Sequence, residues 1–113
     1  MARELKVIFH HAGSPTLYGC LFEQATNKVW YPAGSVFETW GTGSRTADDY
    51  DLTVTHRGGS LWTADFPDGP EDGGLYRFTA YLQTGASPAD GDAPVSNDNG
   101  RWADGEWIGT LGR

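Results

Sequence analysis

Between Gly74 and Gln83 apolar residues fall at every second position: Tyr76, Phe78, Ala80 and Leu82 alternate with Arg77, Thr79, Tyr81 and Gln83. Period two is the mark of a strand with one face on a core, because successive side chains of extended backbone point to opposite sides. The same pattern recurs in Tyr50, Leu52 and Val54 of YDLTVTH and in Trp62, Ala64 and Phe66 of LWTADF. TLYGCLFEQ, KVWY, SVFETW and the terminal segments LKVIFHHA and GEWIGTL bring the count to about eight candidate strands, each bounded by Gly, Pro, Asn or Asp. No window longer than ten residues escapes Gly or Pro while keeping a helical stripe, so the chain is expected to be all-β.

The 113 residues suffice for one compact domain and not for two ordinary ones. The expectation is therefore a single domain over 1–113, a β-sandwich of about seven or eight antiparallel strands. Its 15 aromatic residues supply a core, and a chain of this length can fold without metal or disulfides. Residues 1–13 read as an N-terminal strand or arm. Two polar stretches without alternation, 41–49 and 84–100, read as loops, and the second is long enough to be functional or mobile.

Charge narrows the partners. The net charge is −7, with −1 over residues 1–60 and −6 over 61–113, and the few Lys and Arg are scattered singly. Nucleic acid requires a basic stripe that displaces phosphate counterions, and an anionic membrane surface requires basic clusters, so neither is expected as a partner. Ten of the fifteen acids are Asp, a turn residue, which places most of the negative charge in loops. Cys20 is the only cysteine, which excludes an intrachain disulfide and a thiolate zinc cage. With no signal-peptide pattern and no apolar run approaching a membrane span, a soluble protein made in the cytoplasm is expected.

Immediately before the best strand stands Asp72-Gly73-Gly74-Leu75-Tyr76-Arg77-Phe78, or D-x-G-x-Y-x-F. It resembles the D-x-G-x-Y-x-C that leads into strand F of immunoglobulin domains, with Phe78 in place of the bridging cysteine. The resemblance implies an immunoglobulin- or fibronectin-III-like architecture. Gly74 would supply the turn, and the Tyr76 hydroxyl would bond back to the preceding corner. Cys20 or Phe22 would then face Phe78 from the opposite sheet. FEQATNKVW departs from that topology, because it reads as a tight hairpin within one sheet.

A wider succession runs from Leu17 to about Gly109: Asn27-Lys28-Val29-Trp30, Val36 to Trp40, Asp49-Tyr50, Leu61 to Pro67, Gly74-Leu75-Tyr76, Gln83 to Pro88, Asp92 to Val95, and Trp107. This resembles a group of small β domains in virion structural proteins of tailed bacteriophages and prophages. The resemblance implies a non-enzymatic assembly protein of the virion (head decoration, connector or tail) that packs against other virion proteins or itself as a homo-oligomer. The polar SNDNGRWADGE before the closing tryptophan and the N-terminal ARELKVIFHHAG depart from the group.

Chemistry finds little footing. Asp48, Asp49 and Asp51, or Asp90, Asp92, Asn97 and Asp98, are candidate calcium ligands without EF-hand spacing, and read as solvated turn acids. His10 and His11 are adjacent and point to opposite faces of a strand, with His56 the one other histidine. There is no G-x-S-x-G, and Cys20 lies in an apolar strand. No enzyme, metal or cofactor is expected. Trp62 reads as core, whereas Trp30, Trp40, Trp102 and Trp107 are too many to bury together. Trp40, Trp102 and Trp30 are therefore the candidate contact residues, for a protein partner or, in the alternative reading, for a sugar stacked by a carbohydrate-binding module.

Overall fold

The computed structural model describes residues 7–104 and 106–109. Its strands are β1 (Val7–His10), β2 (Leu17–Glu23), β3 (Val29–Tyr31), β4 (Val36–Glu38), β5 (Leu52–Gly58), β6 (Leu61–Ala64), β7 (Leu75–Leu82), β8 (Ala93–Ala103) and β9 (Glu106–Ile108). A four-residue α-helix, α1 (Ala47–Tyr50), lies between β4 and β5. The fold is all-β, as the alternation requires. Among the described residues the pairings are all antiparallel, in the order β1-β6-β5-β2-β7-β8-β9, with β3 on the other end of β2 and β4 on β3. The sheet curls until β1 approaches β8, so that it nearly closes into a barrel.

The centre is β2 against β7, paired from Leu17↔Leu82 to Glu23↔Tyr76. Its inner face carries Leu17 and Leu21 toward Trp30, Trp62, Phe66, Tyr76, Phe78 and Trp107. Gly19 completes that face for a steric reason: a Cβ there would run into the Phe78 ring. The outer face carries Tyr18, Cys20 and Phe22 into a second cluster with Val29, Ala47 and Tyr50. Both faces of β2 are thus buried, which is why its sequence is apolar without clean alternation.

Three expectations are corrected. The stretch 84–100 is not one loop: β8 begins at Ala93 and pairs with β7 along its length, from Leu82↔Ala93 to Leu75↔Arg101. Its polar character concealed it, because much of β8 is half-exposed and its polar groups bond within the sheet, as where Thr79 Oγ1 donates to Asn97 Oδ1 at 2.7 Å. Pro94 sits beside a register shift, where a missing N–H does not break a ladder. Second, Cys20 and Phe22 do not face Phe78 across two sheets. They lie on the neighbouring strand and point to the other face, and Leu21 stands opposite Phe78. Third, 41–49 is not structureless: a 3₁₀ turn at Thr42–Ser44 leads into α1. The expected hairpin is present, with Phe22 opposite Val29 and Asn27 at φ 60 in its turn. Of the expected N-terminal strand or arm, residues 7–10 form β1, and the part before Val7 lies outside the described residues.

Candidate functional site

The candidate tryptophans are not brought together. Trp30 is 3% exposed inside the inner core, its ring edge-on to Phe37 at 4.9 Å. The expectation that it is a contact residue is corrected, because the β2–β3 hairpin turns Val29 outward and Trp30 inward. Trp102 is half-buried and stacks on Phe66 at 4.2 Å with 9° between the planes. Trp40 is half-buried on the outer side, 4.8 Å from the Tyr50 ring and 6.2 Å from that of Phe22. Trp107 is buried, and its indole N–H donates to Asp98 Oδ2 at 2.8 Å. Each half-buried tryptophan thus has one face already covered by a protein ring, and the exposed large apolar residues are instead aliphatic: Ile8, Val36, Leu61, Leu75 and Ile108.

At the corner before β7 the Tyr76 hydroxyl donates to the Glu71 carbonyl at 2.7 Å. Gly73, not Gly74, takes the left-handed turn, at φ 85. Gly74 is small for another reason: a Cβ there would stand 2.5 Å from the Tyr76 hydroxyl oxygen. Asp72 accepts the Asp104 N–H at 2.8 Å, and Gly73 N–H donates to the Trp102 carbonyl at 2.6 Å, so the corner is tied to the end of β8.

The densest polar arrangement covers the outer cluster. Residues 39–51 cross the outer face between β4 and β5, burying Ala47 and Tyr50. Arg45 binds Glu38 with two donors, Nε at 2.7 Å and an Nη at 2.8 Å, and its guanidinium lies 4.0 Å from the centre of the Tyr31 ring. The Tyr50 hydroxyl donates to Glu38 at 2.7 Å and accepts the Gly41 N–H at 3.1 Å. Arg45, aided by Tyr50, holds the Glu38 carboxyl below its usual range, while burial first and Glu38 second raise Tyr50.

The Asp-rich segment after β7 completes this cover. Asp90 Oδ1 accepts the Ala47 N–H at 2.7 Å, and Asp92 Oδ2 accepts the Ala89 N–H at 2.9 Å and the Tyr18 hydroxyl at 2.8 Å. Asp92 is correspondingly held below the ordinary carboxylate range, by the Ala89 N–H first and Tyr18 second. Of the acids considered as calcium ligands, Asp49, Asp90, Asp92 and Asp98 are therefore engaged by protein donors. Among the described residues no three His, Cys, Asp or Glu are grouped to hold a metal ion. His56 stacks on Trp62 at 4.6 Å, and its Nε2–H donates to the Gly59 carbonyl at 2.8 Å.

Among the described residues, the open clefts include two. One of about 360 Å³ lies on β5 and β6, where Thr53, Thr55 and Asp68 surround the Arg57 to Thr63 hydrogen bond. The other, about 450 Å³, lies beside the corner between Glu23, Gln24, Glu71 and Leu75. Compared with models of protein families, with curated proteins and with solved structures, the chain finds no match.

Proposed function

We propose that the protein is a non-enzymatic assembly module of a tailed phage or prophage particle, acting in the virion through contacts with other virion proteins or with copies of itself. The observation that supports contact over catalysis is the distribution of exposed apolar side chains. Ile8, Val36 and Ile108 stand on β1, β4 and β9, which end the sheet or its branch, and Leu61 is on β6 beside β1. Aliphatic residues on such strands suit the centre of a protein–protein patch, since a partner removes the side chains from water. The particle itself is suggested by the motif succession from Leu17 to Gly109 alone.

A sugar platform fits less well. Stacking a pyranose needs an open aromatic face, and the three tryptophans considered for it are buried or half-covered. The test is light scattering at about 0.15 M salt, where the Debye length of about 8 Å screens a net charge of −7. A dimer or trimer that dissociates in Ile8→Asp or Ile108→Asp, with the fold kept, is the expected result. A strict monomer whose tryptophan fluorescence shifts on adding oligosaccharide would overturn it in favour of sugar binding.

A further inference from the structure

We propose that residues 39–51 form a strap that lifts off the outer face of β2 as one unit while the barrel stays folded, and that this motion controls access to Cys20. The inference goes beyond the assembly role and does not depend on it.

The first ground is where the strap's backbone hydrogen bonds go. Thr42 N–H bonds to Thr39, Ser44 to Gly41, Arg45 to Thr42 and Asp49 to Thr46, all within the strap itself. The Thr46 N–H is likewise taken by Asp49 Oδ2 at 2.9 Å, closing the first turn of α1. The ladders stop on either side, at Glu38 of β4 and Leu52 of β5. Lifting the strap therefore breaks no strand pairing and leaves its own turns intact.

The second ground is how few attachments cross. Ala47 and Tyr50 are the buried side chains, with Trp40 half-buried beside them. What joins the strap to the rest is the hydrogen bonds of Ala47 with Asp90 and of Arg45 and Tyr50 with Glu38, and the ring contacts of Trp40 with Phe22 and of Tyr50 and Arg45 with Tyr31. Segments with few buried apolar contacts open at a lower free energy than the elements they cover. The third ground is the entry to the strap, where Gly41, Gly43 and Ser44 all have positive φ, at 89°, 63° and 68°. Gly41, which has no Cβ, can absorb the backbone change at the hinge while the turns beyond it keep their form.

Cys20 reports the motion. It is fully buried in the same cluster as Ala47 and Tyr50, and burial first, then Asp51, holds its thiol far above the ordinary range, so the closed form does not react. As the only cysteine it gives a signal that needs no assignment.

The experiment follows the labelling of Cys20 by dithiobis(nitrobenzoate) at pH 8, from no urea up to the onset of unfolding. The expected result is a labelling rate at least about tenfold faster than global unfolding allows, nearly independent of urea, because a small opening exposes little surface. Labelling that shares the urea dependence of global unfolding throughout would overturn the proposal. Tyr50→Phe keeps the ring and removes the hydroxyl bonds, and should accelerate labelling by about three- to tenfold. Glu38→Gln, which weakens the same attachment from the other partner, should act in the same direction. Unchanged labelling in both variants, or equal acceleration by Tyr76→Phe at the opposite corner, would also overturn it.

Discussion

The two faces of β2 carry cores of different construction. Inside, Leu17 and Leu21 meet side chains from β1, β3, β6, β7 and β9, and the aromatic rings contact one another directly: Phe9 with Phe78, Phe37 with Tyr76, Phe66 with Tyr76 and Trp107. Outside, Tyr18, Cys20 and Phe22 are covered by a strap in which only Ala47 and Tyr50 are buried, held by a few ring contacts, Trp40 on Phe22 and Tyr50 on Tyr31, and by polar bonds. A core closed by strands is as stable as the sheet. A core closed by a strap is only as stable as its attachments, although the residues beneath are equally buried.

The largest expected effect separates the two directly. Phe78→Ala empties the centre of the inner core and should cost about 3–5 kcal/mol by urea unfolding. Tyr50→Ala should cost less than half of that, about 1–2 kcal/mol, because the loss is capped once the strap has detached. Equal costs would mean that the strap and barrel unfold as one. Tyr76→Phe removes the corner hydrogen bond and keeps the ring, at about 0.5–1.5 kcal/mol. A denaturation midpoint matching the unsubstituted protein would show that the bond to Glu71 contributes nothing.

Acid should act on the outer side first. Glu38 and Asp92 are both held below their ordinary values, so their contribution is present above the unfolded carboxylate range and lost as pH falls through the folded values. Asp51, raised mainly by burial, works the other way and blunts the effect. Below about pH 4 the amide signals of 39–51 should begin to exchange faster while those of β2 and β7 hold. Simultaneous loss would contradict a separate outer unit. The smallest expected effect is none: calcium or chelator should leave the thermal midpoint where it is, since Asp90 and Asp92 are held by Ala47, Ala89 and Tyr18. A rise of several degrees with calcium would show that those bonds yield to a cation.

Local signals were strongest where one chemical face meets one environment. The β7 alternation, the Asn27 hairpin and the Tyr76 corner could be read because strand period, turn geometry and hydrogen-bond reach are properties of a few neighbouring residues. One local signal went unread: Thr46-Ala47-Asp48-Asp49 has the form of a helix start, a threonine with an acid three residues on, and α1 begins there. The four-residue helix was too short to leave an apolar stripe.

The amino-acid sequence alone determined that this chain would be antiparallel β, with Phe78 and Tyr76 on one face of their strand, because side-chain alternation follows from extended backbone whatever it packs against. Only the tertiary structure decided that β8 extends through 93–103, that Trp30 turns inward, and that Asp90 and Asp92 bond to protein donors. A polar residue carries no local record of its partner. Ala47 and Asp90 are forty-three positions apart in sequence, and what each does was settled only when the curled sheet brought their segments together.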